Sequence, residues 1–501
     1  MHQRSLPSFA SLSAFLSHLE DKGASCTIDA PVSMRLELTE IHRKVIAAGG
    51  PVLRIAQPLD HSGAPARMPV VTNLFGTAER VAWGLGTDVA GLERLGALLA
   101  FLRTPQPPQN LHQVRQMLPV ARSALQARPK IVGAPREWAD ADPDFSALPV
   151  QTCWPGDAGP LITWPVVVTR LPGEDDPGTY NLGVYRMQVI GRDRAIVRWL
   201  PMRGGAAHYR QWQARGEEMP VAVVIGADPA TLLAAVMPAP EGVSELALAG
   251  LVGGRRAMLA PCADLPLHVP ASAEIVLEGT VSPTETALEG PFGDHTGYYN
   301  APEHYPVFRL KRLRIRDRGN YLTTFTGRAP DEPSVRGAAL LEVFKPLLRQ
   351  QIPEIVDVWL PPEACSYRIA VISIAKSYAG QARRVMMGFW SLLPQFSMTK
   401  MLIVVDDDID IRSWPDVMWA LATRMDPVRD LMLVERTPID QLDFASPMEG
   451  LGGKAGFDAT RKVGAETARE WGVMLEMDAA MRQQVGERWQ EFFPGLQAEA
   501  R

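Results

Sequence analysis

Leu12, Phe15, Leu16 and Leu19 recur at three- and four-residue steps behind Ser11, and Gly23 follows, so an amphipathic helix capped by Ser11 is predicted near the start. The apolar pieces PVVTNLF and RVAWGLG come next, and the Pro-rich polar run RTPQPPQNLHQ marks a boundary near 103–113. Residues 1–113 therefore read as a small α+β domain. From about residue 145 the pattern becomes strand-like: ITWPVVVTR, GVYRMQVI, AIVRWLPM, VAVVIGA, EIVLEGTVS and PVFRLKRLRIR. GRDR between the second and third pieces is a hairpin turn, and short helices are predicted behind Asp228-Pro229 and Ser244-Glu245. The stretch 114–332 is thus mostly β, a barrel or a sandwich.

Past DEPSVRG the pattern turns helical in AALLEVFKPLLRQQI and then alternates. The order is strand YRIAVISI, helix AGQARRVMMGFWSLL, strand KMLIVVDDD, helix WPDVMWALATRM and strand LMLVER. Such alternation predicts a parallel sheet with helical crossovers, an α/β domain over 333–501.

Composition narrows the function classes. A chain of 501 residues is too long for one core and suggests two to four domains. Apolar residues at 46 % and charged residues at 21 % are an ordinary globular balance. A net charge of −5, from 51 Lys+Arg against 56 Asp+Glu, leaves no basic excess for nucleic acid. Cys26, Cys153, Cys262 and Cys365 lie far apart, which indicates neither zinc nor disulfides and fits a reduced, cytoplasmic protein. No apolar window approaches the roughly 18 residues of a membrane span, so any membrane contact is expected to be peripheral.

Chemistry concentrates in two places. LEGPFGDHTGYYN, 288–300, sets Glu289 and Asp294 among Gly290, Pro291, Gly293 and Gly297, which forbid a helix, and beside Phe292, Tyr298 and Tyr299. Such a loop is expected to fold inward, where its acids must be satisfied or working. NLGVYRMQVIGRDRAIVRWLPMRGG, 181–205, carries Arg186, whose guanidinium, if buried, needs a carboxylate; Glu289 and Asp294 are the candidates. Asn181 and Arg186 are an odd number apart, so a shared site requires a bulge or a strand start near Gly183. Plain structural readings stand beside these: a Gly-rich acidic turn, a structural His295, an exposed Lys454, and helix-capping, solvated acids at Asp406, Asp407 and Asp408.

Taken together, NLGVYRMQVIG, RWLPMRGG, PAPEGVSELALAG, VPASAEIVLEG, EGPFGDHTGYYN, TGRAPDEPSV, MDPVRDLMLVE and SPMEGLGGKAGFDAT resemble the UbiD family of prenylated-FMN-dependent decarboxylases. The likeness is strongest to its branch acting on 4-hydroxy-3-polyprenylbenzoate in ubiquinone biosynthesis. It implies a central flavin-binding split β-barrel between the N-terminal α+β domain and a C-terminal α/β oligomerisation domain. It also implies non-oxidative decarboxylation through a covalent prenylated-FMN adduct, with Arg186, Glu289 and Asp294 as the catalytic network and Asp294 as the proton donor. For that role Asp294 is expected to be protonated in the adduct state, which desolvation by the loop would favour by raising its pKa.

Asn181 and Glu245 match the ligands of a manganese ion held against the flavin phosphate, with potassium as a candidate second ion. The family's further histidine ligand falls at Gly204 or its neighbour, with His208 nearby, so the third protein ligand stays open. Val184, Tyr185, Arg186, Arg198, Trp199, Leu200, Arg203, Gly204 and Pro238 match flavin-lining segments, and Lys454 a lysine near the phosphate. A flavin prenyltransferase as cofactor supplier and a homo-oligomer, dimer or hexamer, are implied as partners. The alternatives are the same chemistry on another aromatic or unsaturated acid, an ordinary FMN oxidoreductase, and a non-catalytic flavin carrier.

Overall fold

The computed structural model describes residues 8–103, 123–237, 243–392 and 395–495, so most of the Pro-rich boundary run and Pro238 lie outside the described residues. The first helix forms over Leu12–Asp21, where Ser11 Oγ accepts the Ala14 N–H at 3.1 Å and Leu12, Phe15, Leu16 and Leu19 are buried. Nearby lies a four-stranded sheet ordered Ser25–Ser33, Val52–Leu59, Val70–Thr72 and Tyr321–Leu322. Its last strand comes from far along the chain, which ties the N-terminal part to the middle one.

The middle part is a nine-stranded sheet. Its path runs Leu161–Ile162, Met187–Val189, Arg194–Val197, Glu303–Arg316, Ile275–Glu289, Met219–Ile225, Val166–Thr169 and Asn181–Val184, with Trp138–Ala141 off the path. The path places Asn181–Val184 at one end and Met187–Val189 next to the other, yet only Tyr185 and Arg186 separate them in sequence. Three residue steps reach about 10 Å at full extension. The sheet must therefore curl until its ends nearly meet, which makes it a split barrel with Arg186 in the seam. The GRDR hairpin forms as expected, with Ile190 N–H donating to the Arg194 carbonyl at 3.0 Å. GVYRMQVI, read as one strand, is two: the chain leaves one ladder at Val184 and enters another at Met187. That break, rather than a bulge at Gly183, removes the facing problem between Asn181 and Arg186.

One helix, Glu332–Gln351, serves two cores. Asp331 caps it in a reciprocal box with Ser334. Its Ala339, Val343 and Phe344 pack into the core shared by the N-terminal and middle parts, while Leu341 and Leu348 face the C-terminal core. The C-terminal sheet runs Ile355–Trp359, Ile369–Ile374, Met401–Asp406, Leu451–Ala459 and Leu431–Pro438. Strand alternation sorts its faces: Ala370, Ile372 and Ile374 share a core with Met386 and Phe389 of helix Gln381–Leu392, and Val371 with Val417 and Ala420 of helix Trp414–Arg424.

Only the three central strands of this sheet are parallel, and LMLVER is an antiparallel edge strand. The strand paired with it contains GGKAGF, a glycine-rich run. Its glycines conceal it; at Gly456 a Cβ would lie 2.5 Å from Met386 Sδ, so helix packing requires the glycine. Among the described residues no helix is long and apolar enough to cross a membrane.

Candidate active site

The 290–300 loop does fold inward. Glu289 and Phe292 are wholly buried, and Asp294 and Asn300 nearly so. Its backbone is anchored by side chains: Gly290 N–H donates to Gln188 Oε1 at 2.9 Å, Phe292 N–H to Asn300 Oδ1 at 2.9 Å, and Gly293 N–H to Asp157 Oδ1 at 2.9 Å. Tyr298 and Tyr299 instead stay exposed, and the Tyr299 hydroxyl accepts the Gly156 N–H at 2.9 Å.

Arg186 reaches this loop from the barrel seam. Its Nε donates to Glu289 Oε1 at 2.8 Å, Nη1 to Asp294 Oδ2 at 2.8 Å, and Nη2 to Asn300 Oδ1 at 2.8 Å and Glu289 Oε2 at 3.2 Å. The guanidinium lies 5.3 Å from the Phe292 ring centroid. Arg198, expected only as flavin lining, donates to Asp294 Oδ2 at 3.3 Å and stands 3.9 Å from Glu289. Asn300 ends the quoted motif without having been singled out, and its role emerges only from the folded loop.

His295 completes the cluster. Its Nδ1 is 2.9 Å from Asp294 Oδ1, and its Nε2 is 3.4 Å from Asp440 Oδ2, an ion-pair separation. Asp440 belongs to the C-terminal part and also accepts the Tyr367 hydroxyl at 2.8 Å. Burial would lower the His295 pKa, but Asp294 and Asp440 outweigh it and push it up to about 9. Burial would likewise raise Asp294, yet His295, Arg186 and Arg198 hold it well below the usual carboxylate range. The loop desolvates the acid as foreseen, but three cations surround it, so in the chain without cofactor or substrate the net shift is downward.

A second cluster begins one residue earlier. The Tyr185 hydroxyl accepts the Gly205 N–H at 3.1 Å and lies 3.4 Å from Asn181 Nδ2. Gly204 opens helix Gly204–Arg215, whose cap residue Arg203 makes no side-chain capping bond. A Cβ at Gly204 would sit 2.0 Å from Asn181 Oδ1, so glycine there makes room for the amide oxygen. Glu245, in the first turn of helix Glu245–Gly253, accepts the Leu182 N–H at 3.0 Å, and burial raises its pKa. Trp199 packs edge-on to Tyr185, its ring centroid 6.5 Å away, and its Nε1 is buried without a hydrogen-bond partner. Val184 and Leu200 are half-buried in the same segments, and Arg203 is exposed. His208 lies one helical turn past Gly204, its Nδ1 3.1 Å from Thr169 Oγ1, the same hydroxyl that Asn181 approaches at 3.5 Å.

Lys454 joins neither cluster. Its ammonium donates to the carbonyls of Ser397 at 2.5 Å, Thr399 at 3.1 Å and Pro438 at 3.1 Å, so its three protons are already engaged in the C-terminal part. Between the clusters and the long helix lies a cavity of about 280 Å³, with Arg203, His295 and Arg336 among its polar walls and Leu340, Phe344 and Leu360 among its apolar ones.

Comparison with known proteins places this geometry. Three family models match in chain order: the N-terminal domain of 3-octaprenyl-4-hydroxybenzoate carboxy-lyase over 16–99, its Rift-related domain over 130–329 and its C-terminal domain over 334–459. The UbiD-class enzyme HmfF from Pelotomaculum thermopropionicum, solved with FMN, is 28% identical with a TM-score of 0.76, over 92% of this chain and 97% of its own. Vanillic acid decarboxylase from Sedimentibacter hydroxybenzoicus, in closed form, is 25% identical with a TM-score of 0.81, over 97% of this chain and 99% of its own. An evolved dimeric form of HmfF, solved with prFMN, is 27% identical with a TM-score of 0.75, over 95% of this chain and 100% of its own. With all three domain models matched in order and the architecture shared from end to end, this chain belongs to the UbiD family.

Proposed function

We propose that the chain is a prenylated-FMN-dependent carboxy-lyase that decarboxylates 4-hydroxy-3-polyprenylbenzoate to a 2-polyprenylphenol in ubiquinone biosynthesis, with Arg186, Glu289 and Asp294 as its catalytic residues. The observation that carries this reading is the fork of Arg186 between Glu289 and Asp294, buried in the barrel seam beside a cavity. Loss of carbon dioxide from an aromatic ring leaves an electron pair that no protein side chain can accept. Prenylated flavin, when bound, supplies that acceptor. Asp294 delivers the proton to the ring carbon, for which it must first take one up. Arg186 binds both carboxyl groups and fixes their positions, so that Asp294 stays aimed after its charge changes.

The residues present fit such a cofactor. Val184, Tyr185, Arg198, Trp199, Leu200, Arg203 and Gly204 lie along the segments that would line it, and the orphaned Trp199 Nε1 is a donor without a partner. The start of helix Gly204–Arg215 offers N–H groups to a phosphate. Asn181 and Glu245 are oxygen donors suited to manganese. Among the described residues no three His, Cys, Asp or Glu gather as a metal site, so the ion would depend on phosphate and water for its remaining ligands. Lys454 is not assigned to the phosphate, because its ammonium is engaged elsewhere.

The same reading includes a flavin prenyltransferase as supplier, a cytoplasmic location with at most peripheral membrane contact, and domains at 1–113, 114–332 and 333–501. A homo-oligomer is included too. Val473, Leu475 and Phe493 are strongly exposed near the C-terminus, an apolar arm suited to a second copy.

A second reading, the same chemistry on a smaller aromatic acid, is favoured by the cavity: about 280 Å³ is at the small end for drug-sized ligands. Co-expression with a flavin prenyltransferase, followed by assay of carbon dioxide release, separates the two. Turnover of 4-hydroxy-3-polyprenylbenzoate supports the first reading, and turnover restricted to short-chain or unsubstituted hydroxybenzoates supports the second. Flavin binding without release from any acid overturns both.

A further inference from the structure

We propose that His295, acting through Asp294 and held from the C-terminal part by Asp440, is the proton store that recharges Asp294 after each turnover. The inference rests on the reading of Asp294 as proton donor. Asp294 presents Oδ2 to Arg186 and Arg198 and Oδ1 to His295, so of its three charged partners only His295 can give up a proton at neutral pH. His295 lines the cavity, and its side chain is 18 % exposed against 10 % for Asp294. A proton entering from this cavity therefore meets the imidazole first.

The step balances. The imidazolium Nδ1–H bond breaks as an O–H bond forms at Asp294 Oδ1, leaving a neutral imidazole and a neutral acid. The acid's O–H bond then breaks as the ring C–H bond forms, which restores the carboxylate. The imidazole regains its proton from water in the cavity, which is the proton that decarboxylation consumes.

The groups that set the imidazole's charge come from every element around it. Asp294 and Asp440 face its two nitrogens, and Tyr367 and Arg368 bind Asp440 from the C-terminal part. Asp331 at the start of the long helix interacts with it, and Arg203 and Arg336 line the same cavity. His295 is thus a positioning residue with a titration, and its neighbours make the charged form the resting one.

The experiment uses the full chain co-expressed with a flavin prenyltransferase, comparing wild type, His295→Gln and Asp440→Asn with 4-hydroxy-3-prenylbenzoate as probe. Two readouts are taken: turnover per bound flavin against pH, and the ¹⁵N titration of the His295 imidazole in the protein without substrate. The expected wild-type rate falls as pH rises through about 9. In Asp440→Asn that limb moves down by roughly one pH unit or more, together with the imidazole titration. In His295→Gln the limb disappears and turnover drops by roughly 10²-fold, with flavin retained. Unchanged turnover and pH limb in His295→Gln, or a His295 titration indifferent to Asp440→Asn, overturns the proton store alone. A wild type that binds flavin but releases no carbon dioxide from any acid overturns the activity and the store together. Should His295→Gln not fold, Asp440→Asn decides by the same two readouts.

Discussion

The chain builds the same three-part motif twice, and the two copies differ in what surrounds them. Arg424 in the C-terminal part donates to Asp406 at 2.7 Å and to Asp408 at 2.8 and 2.7 Å, with its guanidinium 5.0 Å from the Trp419 ring. Arg186 in the barrel seam does the same with Glu289 and Asp294 over Phe292. Hydrogen bonding is alike, but Asp408 is exposed whereas both acids of the seam are buried. In the C-terminal copy, however, Arg461 closes the acids from the other side, its N–H on Asp406 at 2.6 Å, and no imidazole takes part. In the seam copy Asp294 meets His295, which opens on a cavity, and the residue before Arg186, Tyr185, belongs to the cradle proposed for the cofactor. An arginine between two acids is a structural device by default. A titrating neighbour with access to open space is what makes one of them fit for proton transfer.

The comparison breaks most sharply on the arginines. Arg186→Met strands two buried carboxylates and is expected to cost about 3–5 kcal/mol, read as a loss of thermal stability, whereas Arg424→Met strands one buried acid, Asp406, beside the exposed Asp408 and should cost less. Only Arg186→Met should also abolish turnover; the folded fraction of Arg424→Met should work at the wild-type rate per flavin. Equal losses of activity in the two would erase the distinction.

Within the seam, Glu289→Gln should be nearly as severe for turnover, because it leaves Arg186 short of a partner. Since the acids act as a unit, combining it with Asp294→Asn should be scarcely worse than the worse single change. Multiplicative losses in kcat would show two independent groups. A step down in effect, Asn181→Ala and Glu245→Ala should each release manganese and flavin together, as measured by metal analysis and absorbance, while Asp406→Asn leaves both bound. Full cofactor occupancy in either of the first two would refute the cradle.

The smallest effect is on stability against pH. His295 has a folded pKa of about 9 against an ordinary 6.5, so its pairing stabilises fully below pH 6.5 and is lost as pH rises through 9. Asp294 is lowered from 3.8, so its contribution is present above that value and is lost as pH falls below it. The drop in Tm between pH 6.5 and 9 should therefore be shallower in His295→Gln than in wild type, whereas Asp408→Asn should leave that drop unchanged.

Much of this was legible before folding. The Ser11 cap, the GRDR hairpin and the period-two strands follow from local rules, and they formed where expected. Glu289, Asp294 and Arg186 announced themselves because acids in a Gly-rich aromatic loop and an arginine in an apolar strand each need a partner. What stayed hidden depends on long-range closure. Nothing local says that Val184 and Met187 sit near opposite ends of one sheet, or that Asp440 would reach His295 across 145 residues of sequence. The strand at 451–459 was masked by its glycines, and Lys454 with it. Of the acids at 406–408, Asp407 and Asp408 are exposed as expected, but none caps the following helix, whose cap is Ser413, and Arg424 takes Asp408 and the buried Asp406. The burial of Asp294 was visible in the sequence, while the three cations around it, which lower its pKa in the chain without cofactor, were not.

The most direct measurement is turnover of Asp294→Asn beside wild type at matched flavin occupancy. The substitution preserves shape and removes the transferable proton, so turnover per folded, flavin-loaded protein should fall roughly 10²–10⁴-fold with flavin binding nearly unchanged, while loss of the ion pairs to Arg186 and His295 lowers Tm. Near-normal turnover would contradict the assignment and return Asp294 to the class of Asp406, an acid buried for structure.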